Sequence, residues 1–435
     1  MTDPLLQPLT LPCGAVLPNR LAKAAMTEGL ADHQGRPTAA LERLYGVWSD
    51  GGSGMLLSGN IQIDGDHLER PGNVILDRPL GDDALDKAMR DTLTSWATAA
   101  TKNGNHFWAQ ISHAGRQTQK IVNANPKAPS AIKLGLPGGQ FGEPVALTEE
   151  EILDLIARFA GAASICKDAG FTGVQVHAAH GYLLSQFLSP RSNQRTDRWG
   201  GGLENRARML LEVVRAVRTA VGKEYPVCVK LNSADFQRGG FGFHESLQVA
   251  KWLEALGVDI IEVSGGNYEQ PALMDMEGLE PVEDQNVPKS TMEREAYFVD
   301  FAKAMRKQLN IPLMVTGGFR SRAAMEHALE SDSADLIGLG RPLCYKPDGP
   351  KALLEGGLTE LPRKENELAL LPNWLGFLRK INTIKAIDGF SVQFWYYAQL
   401  IAIGQTGAPD LDKSVFAGFR EVDSAAKAWM KARRG

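Results

Sequence analysis

Polar, ionisable side chains gather where buried segments of this chain end. The densest stretch starts at Gly173 and reads GVQVHAAHGYLLSQFLSPRSNQRTDRWGG. A short β-branched strand leads into His177, His180, Gly181 and Tyr182, followed by a long loop rich in Arg, Asn, Asp and Gly. Two imidazoles and a phenol at one strand mouth can donate hydrogen bonds to a substrate oxygen and pass a proton. A metal site is the competing chemistry. However, HxxH at a strand end lacks the helical i, i+4 spacing and the glutamate of HExxH, and no third ligand is evident, so no metal is expected. The charges of Arg191, Arg195, Asp197, Arg198 and Arg206 read as ion pairs that pin the loop.

A second constellation lies further on. Thr316-Gly317-Gly318 and Gly340-Arg341 each follow a short apolar run. Glycine lets backbone N–H groups approach an anion, and arginine adds a forked charge, so the pair points to a bound phosphate. Each turn alone could equally be a tight connection that needs glycine for positive φ.

The elements that must position these groups alternate strand and helix. Apolar runs at 19–27, 54–63, 106–112, 173–176, 227–231, 260–264, 313–316 and 336–339 read as strands. Helical patterns occupy 38–49, 85–102, 148–169, 205–221, 243–256, 294–309 and 321–331, the third opening on a Thr148/Glu151 capping box. Eight such units predict an α/β fold, a parallel (β/α)8 TIM barrel with its chemistry at the C-terminal strand ends. The barrel is assigned residues 1–361. Residues 362–435 form a helical extension rich in aromatics, including Trp374, Phe377, Phe390, Phe394 to Tyr397, Phe416, Phe419 and Trp429. Packing on the barrel is the favoured role for it, and a contact in a homo-oligomer is the alternative. The connection 113–147 is long enough to be a cover or a functional loop.

Composition narrows the class. A net charge of −4 favours neither nucleic acid nor an anionic membrane surface. The run 394–404 is too short to span a bilayer, and the N-terminus lacks a signal-peptide pattern. Cys13, Cys166, Cys228 and Cys344 are scattered, which fits a reducing cytoplasm and gives no disulfide framework.

HAAHGYLLSQFLSPRSNQRTDRWGG followed by LENRAR resembles the signature loop of the Old Yellow Enzyme family, and the resemblance covers roughly residues 15 to 345. It implies a non-covalently bound FMN, NAD(P)H as reductant and a small electron-poor alkene as substrate. By that resemblance Ala25, Met26 and Thr27 lie along the flavin, with the Thr27 hydroxyl at its O4. Asn60, after Gly59, stands where the family packs a smaller residue under the ring. Gln110 reads the pyrimidine edge, and Lys230 replaces the usual arginine beside N1 and O2. The phosphate falls to Gly317, Gly318, Gly340 and Arg341. His177 and His180 match the pair that holds the substrate's carbonyl or nitro oxygen, and Tyr182 matches the proton donor. The residues themselves leave other readings open. Lys230 could pair with an acid such as Glu262, and Thr27 could cap a strand end. The whole could be an FMN dehydrogenase or demethylase, a non-flavin phosphate-binding lyase or isomerase, or a flavin binder without turnover. No G-x-G-x-x-G dinucleotide fingerprint is present, which suits a nicotinamide that visits the flavin directly.

Overall fold

The computed structural model describes residues 3–81, 85–136, 139–266, 298–370 and 382–435, without the side chains of 366 and 382–390. Eight parallel strands close on themselves: β1 (Leu21–Lys23), β2 (Met55–Leu57), β3 (His106–Ser112), β4 (Gly173–Ala178), β5 (Val227–Asn232), β6 (Ile260–Ser264), β7 (Leu313–Thr316) and β8 (Leu336–Leu339). Each pairs with the next, and β8 returns to β1 through Ile337 opposite Leu21. The helices that follow the first seven strands are α1 (Ala39–Asp50), α2 (Lys87–Thr101), α3 (Glu149–Asp168), α4 (Leu203–Val221), α5 (Phe243–Ala255), α6 (Val299–Arg306) and α7 (Arg322–Glu330). The sequence places a helix over 294–309, and its first residues lie outside the described ones. The Thr148/Glu151 capping box forms reciprocally at the start of α3.

The first two strands are shorter than the apolar runs predict. Ala24 and Ser58 still donate to the Leu339 and Trp108 carbonyls at 2.8 and 2.9 Å, and beyond them 25–27 and 59–60 are loop. A two-residue strand, Ile61–Gln62, then rejoins the edge of β3.

Alternation along the strands sorts side chains inward and outward. Ala22, Met55, Trp108, Cys228, Ile260, Met314 and Leu336 form one apolar layer. Leu9, Leu11 and Leu17 of the hairpin Leu9–Thr10/Val16–Leu17 pack on it and close the barrel floor. The intervening residues, such as Val174, Val176, Val229 and Ile261, face the helices and join the larger core. Two steps along each strand from the apolar layer, Gln110, Lys230 and Glu262 occupy the interior nearer the mouth.

Beyond the barrel, α8 (Gly349–Leu354) precedes two long helices, α9 (Asn382–Thr406) and α10 (Val415–Arg434), which pack on each other. They dock on the loops after β1 and β2. The Trp429 indole donates to the Ala31 and Asp32 carbonyls at 3.0 and 2.8 Å, and Arg433 to those of His33 and Gly65. Arg70 stacks over Tyr397 with 4.0 Å between guanidinium carbon and ring centroid. Trp395 and Tyr396 are buried, whereas Phe416 is exposed. Trp374, Phe377 and the Phe390 side chain lie outside the described residues.

Candidate active site at the barrel mouth

His177 ends the inward row of β4 and is buried. Its Nδ1 accepts the Ala179 N–H at 3.2 Å. That bond puts the proton of the neutral ring on Nε2, which has no hydrogen-bond partner among the described residues. His180 sits at φ 61°, followed by Gly181 at φ 76°. This paired left-handed turn swings its ring back towards β6, where Nε2 meets the Ser264 hydroxyl at 2.6 Å; its backbone N–H donates to Asn232. The two imidazoles are 5.2 Å apart and nearly perpendicular. The buried Tyr182 ring lies edge-on to His177 at 4.8 Å. Burial, then the neighbouring His180 and Lys230, holds His177 well below the ordinary imidazole pKa; burial and Lys230 do the same for His180. Both rings are therefore neutral near pH 7, and His180 can donate to a ligand from Nδ1 when Nε2 accepts the Ser264 hydroxyl.

The expected loop does not begin directly after Tyr182: that residue caps a short helix, Leu183–Leu188, and the loop that follows it is pinned as its charges suggest. Arg195 pairs with Asp197 and donates to the Pro129 and Leu147 carbonyls; Arg198 pairs with Glu149 and Arg206 with Glu245. Arg191 donates to the Arg238 carbonyl.

Inside the barrel, Lys230 on β5 forms an ion pair with Glu262 on β6 at 2.9 Å, both buried. Glu262 Oε2 accepts from Gln175 on β4 at 2.7 Å, and Gln175 Oε1 accepts from Gln110 on β3 at 2.7 Å. The pairing left open by the sequence is thus formed. It extends through Gln175, which sequence reasoning overlooked, although a lone glutamine in a Val-x-Val strand marks a buried polar position. Burying these groups singly would be costly; here they are linked, although Glu262 Oε1 meets Lys230 as an ion pair without a hydrogen bond of good geometry.

At the ends of β1 and β2, the Thr27 hydroxyl donates to Glu69 at 2.5 Å, and Asn60 Nδ2 donates to the same carboxylate at 3.2 Å. Glu69 is a second residue absent from the sequence reading. The small residue here is Gly59, where a Cβ would fall 2.2 Å from Glu28 Oε2 and 2.5 Å from the Met26 carbonyl. The Gly59 N–H donates to Glu28, which also accepts from Tyr45. Lys23 is buried behind this loop, bonded to Tyr45 and the Leu57 carbonyl, and burial lowers its pKa to about 8. Ala25 packs on the interior layer, and Met26 sulfur lies 3.5 Å from Cys344 sulfur.

At the ends of β7 and β8, Gly317 and Gly318 take φ 137° and 78°, conformations that favour glycine. Gly340 and Arg341 follow β8. Asn60 Oδ1 and Thr316 Oγ1 are buried without a hydrogen-bond partner. Unmatched acceptors and donors ringing a barrel mouth fit a flat ligand with polar edges, and the glycine turns with Arg341 fit its phosphate. The residues present therefore suit FMN.

One cluster has metal-ligand residue types: Asp64, His67 and His113. His67 Nε2 accepts the Lys127 N–H at 2.8 Å and His113 Nδ1 accepts the Gly115 N–H at 3.0 Å. Those bonds force the ring protons onto the nitrogens that face Asp64. His67 Nδ1 lies 3.0 Å from Asp64 Oδ2, approached off the N–H axis, and His113 Nε2 lies 3.6 Å from it. Protonated nitrogens offer a cation no lone pair. Burial opposes ionisation of Asp64, but the facing imidazoles, His113 first, hold its carboxyl well below the usual range. Burial, then His67, lowers His113 to about 4.

A closed (β/α)8 barrel with a phosphate-type turn pair after β7 and β8, polar groups along its interior and a histidine pair over its mouth defines an FMN-barrel oxidoreductase. The pattern of the NADH:flavin oxidoreductase / NADH oxidase family matches residues 4–359. The chain is 38% identical over 360 residues to the NADH-dependent flavin oxidoreductase iliE of Neonectria sp. (strain DH2), covering 79% of this chain and 46% of that one. It is 35% identical over 367 residues to iliE of Hypocrea jecorina (strain QM6a), covering 80% and 88%. Among solved structures, the old yellow enzyme homologue from Zymomonas mobilis superposes with a TM-score of 0.67 at 26% identity, covering 83% of this chain and 95% of that one. The chain belongs to the NADH:flavin oxidoreductase family of Old Yellow Enzyme type: an NAD(P)H-dependent oxidoreductase with non-covalent FMN. Among the described residues no helix is long and apolar enough to cross a membrane.

Proposed function

We propose that the enzyme reduces the C=C bond of small alkenes conjugated to a carbonyl or nitro group. The observation that carries this reading is the orientation of His177: its Nδ1 is filled by a backbone N–H, which leaves Nε2–H to donate at the mouth beside His180 and Tyr182. The turns at Gly317, Gly318 and Gly340 with Arg341 would hold the FMN phosphate. Gln110 and Lys230 would meet the pyrimidine edge, and Ala25, Met26, Thr27 and Asn60 the rest of the ring. Bound FMN, reduced by NAD(P)H, supplies the hydride that the alkene's β-carbon receives. His177 and His180 donate to the activating oxygen, and their bonds strengthen as negative charge builds there. A neutral imidazole suits this task because it needs no counter-anion in a buried site. Ser264 fixes the His180 ring and the Ala179 N–H fixes His177, so neither must reorient during the reaction. Tyr182 delivers a proton to the α-carbon. A phenol is a weak acid, ordinarily with a pKa of about 10, so Tyr182 donates only as carbanion character develops.

Steady-state assays test the class. NAD(P)H oxidation should accelerate with 2-cyclohexenone and with a nitroalkene, giving the saturated products. Reduction of the bound flavin by a tertiary amine, with no response to the alkenes, would instead assign a dehydrogenase or demethylase. A protein that stays colourless after refolding with excess FMN would point to a non-flavin lyase or isomerase.

A further inference from the structure

Lys230 has a single anion close to it among the described residues. The ionisable groups around it are Glu262, Lys23, Cys228, His177 and His180; Lys23 has its own counter-charge in Glu28, which it reaches through Tyr45. Both histidines are held neutral, and burial pushes the Cys228 thiol up, so it too stays neutral near pH 7. The charge that Lys230 presents to the mouth is therefore matched by Glu262, on the adjacent strand and directly opposite in register. Glu262 also reaches Gln110. Gln175 Nε2 donates to Glu262, which turns Gln175 Oε1 towards Gln110, and that oxygen takes one of the two Gln110 Nε2 protons. One carboxylate thus governs both residues assigned to the flavin's pyrimidine edge.

We propose that Glu262 is a positioning residue that sets the reduction potential of the bound flavin, by neutralising Lys230 and by fixing the Gln110 amide through Gln175. This rests on the reading that FMN lies against Gln110 and Lys230. An unbalanced cation beside N1 and O2 would stabilise the anionic reduced ring and raise the potential. A paired lysine supplies a hydrogen bond with little net charge. The reduced flavin should accordingly keep its N1 proton to a higher pH than it would beside a bare cation.

The test is the midpoint potential of the purified holoenzyme, measured anaerobically against indicator dyes across pH, in the parent and in Glu262→Gln. The equilibrium constant for two-electron reduction should shift at least about tenfold towards the reduced form, roughly 30 mV more positive. The pH at which reduced flavin loses its N1 proton should fall by about one unit. Lys230→Gln/Glu262→Gln, neutral again, should return to within about threefold of the parent, as expected of a coupled pair. An unchanged or more negative potential in Glu262→Gln overturns the proposal. Should that variant fail to fold or hold flavin, Lys230→Met/Glu262→Leu decides instead. A potential within about threefold of the parent supports a balanced pair, and a fall of tenfold or more shows that Lys230 acts as an unmatched cation. A failure of the underlying reading looks different: Gln110→Leu and Lys230→Gln would then leave both FMN affinity and potential unchanged.

Discussion

Two histidine pairs stand over the same barrel mouth, and they differ in what fills each ring's second nitrogen. In His67 and His113 a backbone N–H occupies one nitrogen and Asp64 faces the proton on the other, so little is left to offer a ligand. In His177 a backbone N–H again fills one nitrogen, but the proton on the other has no partner among the described residues. His180 is held by a serine hydroxyl in place of a carboxylate. Residue type is the same in both pairs, and the ring centroids are 4.5 and 5.2 Å apart. The tautomer and the neighbour of the second nitrogen separate a structural clasp from a donor pair.

The contrast is most open to attack at Tyr182, which packs on the donor pair and has no counterpart in the clasp. Tyr182→Phe should leave anaerobic flavin reduction by NAD(P)H within a few-fold of the parent. Reoxidation by a cyclic enone should slow by about 10²- to 10⁴-fold, the usual worth of a general acid. A nitroalkene should suffer less, because its nitronate can leave and be protonated in water. Stopped-flow traces of the two half-reactions separate these outcomes. Equal slowing of both would mean that Tyr182 only shapes the pocket.

The clasp makes a prediction about stability. His113 titrates near 4 in the folded chain, against about 6.5 when unfolded. The unfolded state therefore binds the extra proton between these values. The contribution is full above pH 6.5 and is lost as pH falls towards 4, by about 3 kcal/mol. His113→Phe keeps the stack on His67, whose ring centroid is 4.5 Å away, but removes the titration. It should be less stable at pH 7.5, and its further loss on going to pH 4.5 should be smaller than the parent's by that amount. Urea unfolding at the two pH values measures this, and equal losses would contradict it.

The smallest effect sharpens the donor side. Ser264→Ala removes the group that fixes His180 Nε2, a bond of about 1 kcal/mol. Enone reduction should slow by several-fold while flavin reduction stays unchanged. A loss as large as that of Tyr182→Phe would mean that Ser264 itself touches the substrate.

Much of this was legible in the sequence where contacts are local. The β-branched runs and capping signals gave the order of strands and helices, because each reports its own backbone. His177, His180 and Tyr182 lie within six residues at the end of one strand, so a linear motif exposes them. The glycine pairs after β7 and β8 are visible for the same reason. The rest depends on closure. Gln110, Gln175 and Glu262 sit on three different strands and meet only because inward alternation coincides across the barrel. His113 lies far along the chain from Asp64 and His67, beyond the reach of any spacing rule. The early ends of β1 and β2, and the seating of α9 and α10 on the loops that follow them, go with tertiary contacts such as Trp429 with Ala31 and Arg70 with Tyr397. Propensity encodes neither.

The central claim is that His177 and His180, and not His67 and His113, hold the substrate oxygen. A simple phenol titrated into the oxidised holoenzyme tests it directly, since a phenolate bound over flavin gives a long-wavelength charge-transfer band. The band should appear in the parent and persist in His113→Phe. It should vanish in His177→Ala/His180→Ala, with the flavin's own spectrum intact. A band that survives the loss of His177 and His180, or that disappears with His113, would contradict the account.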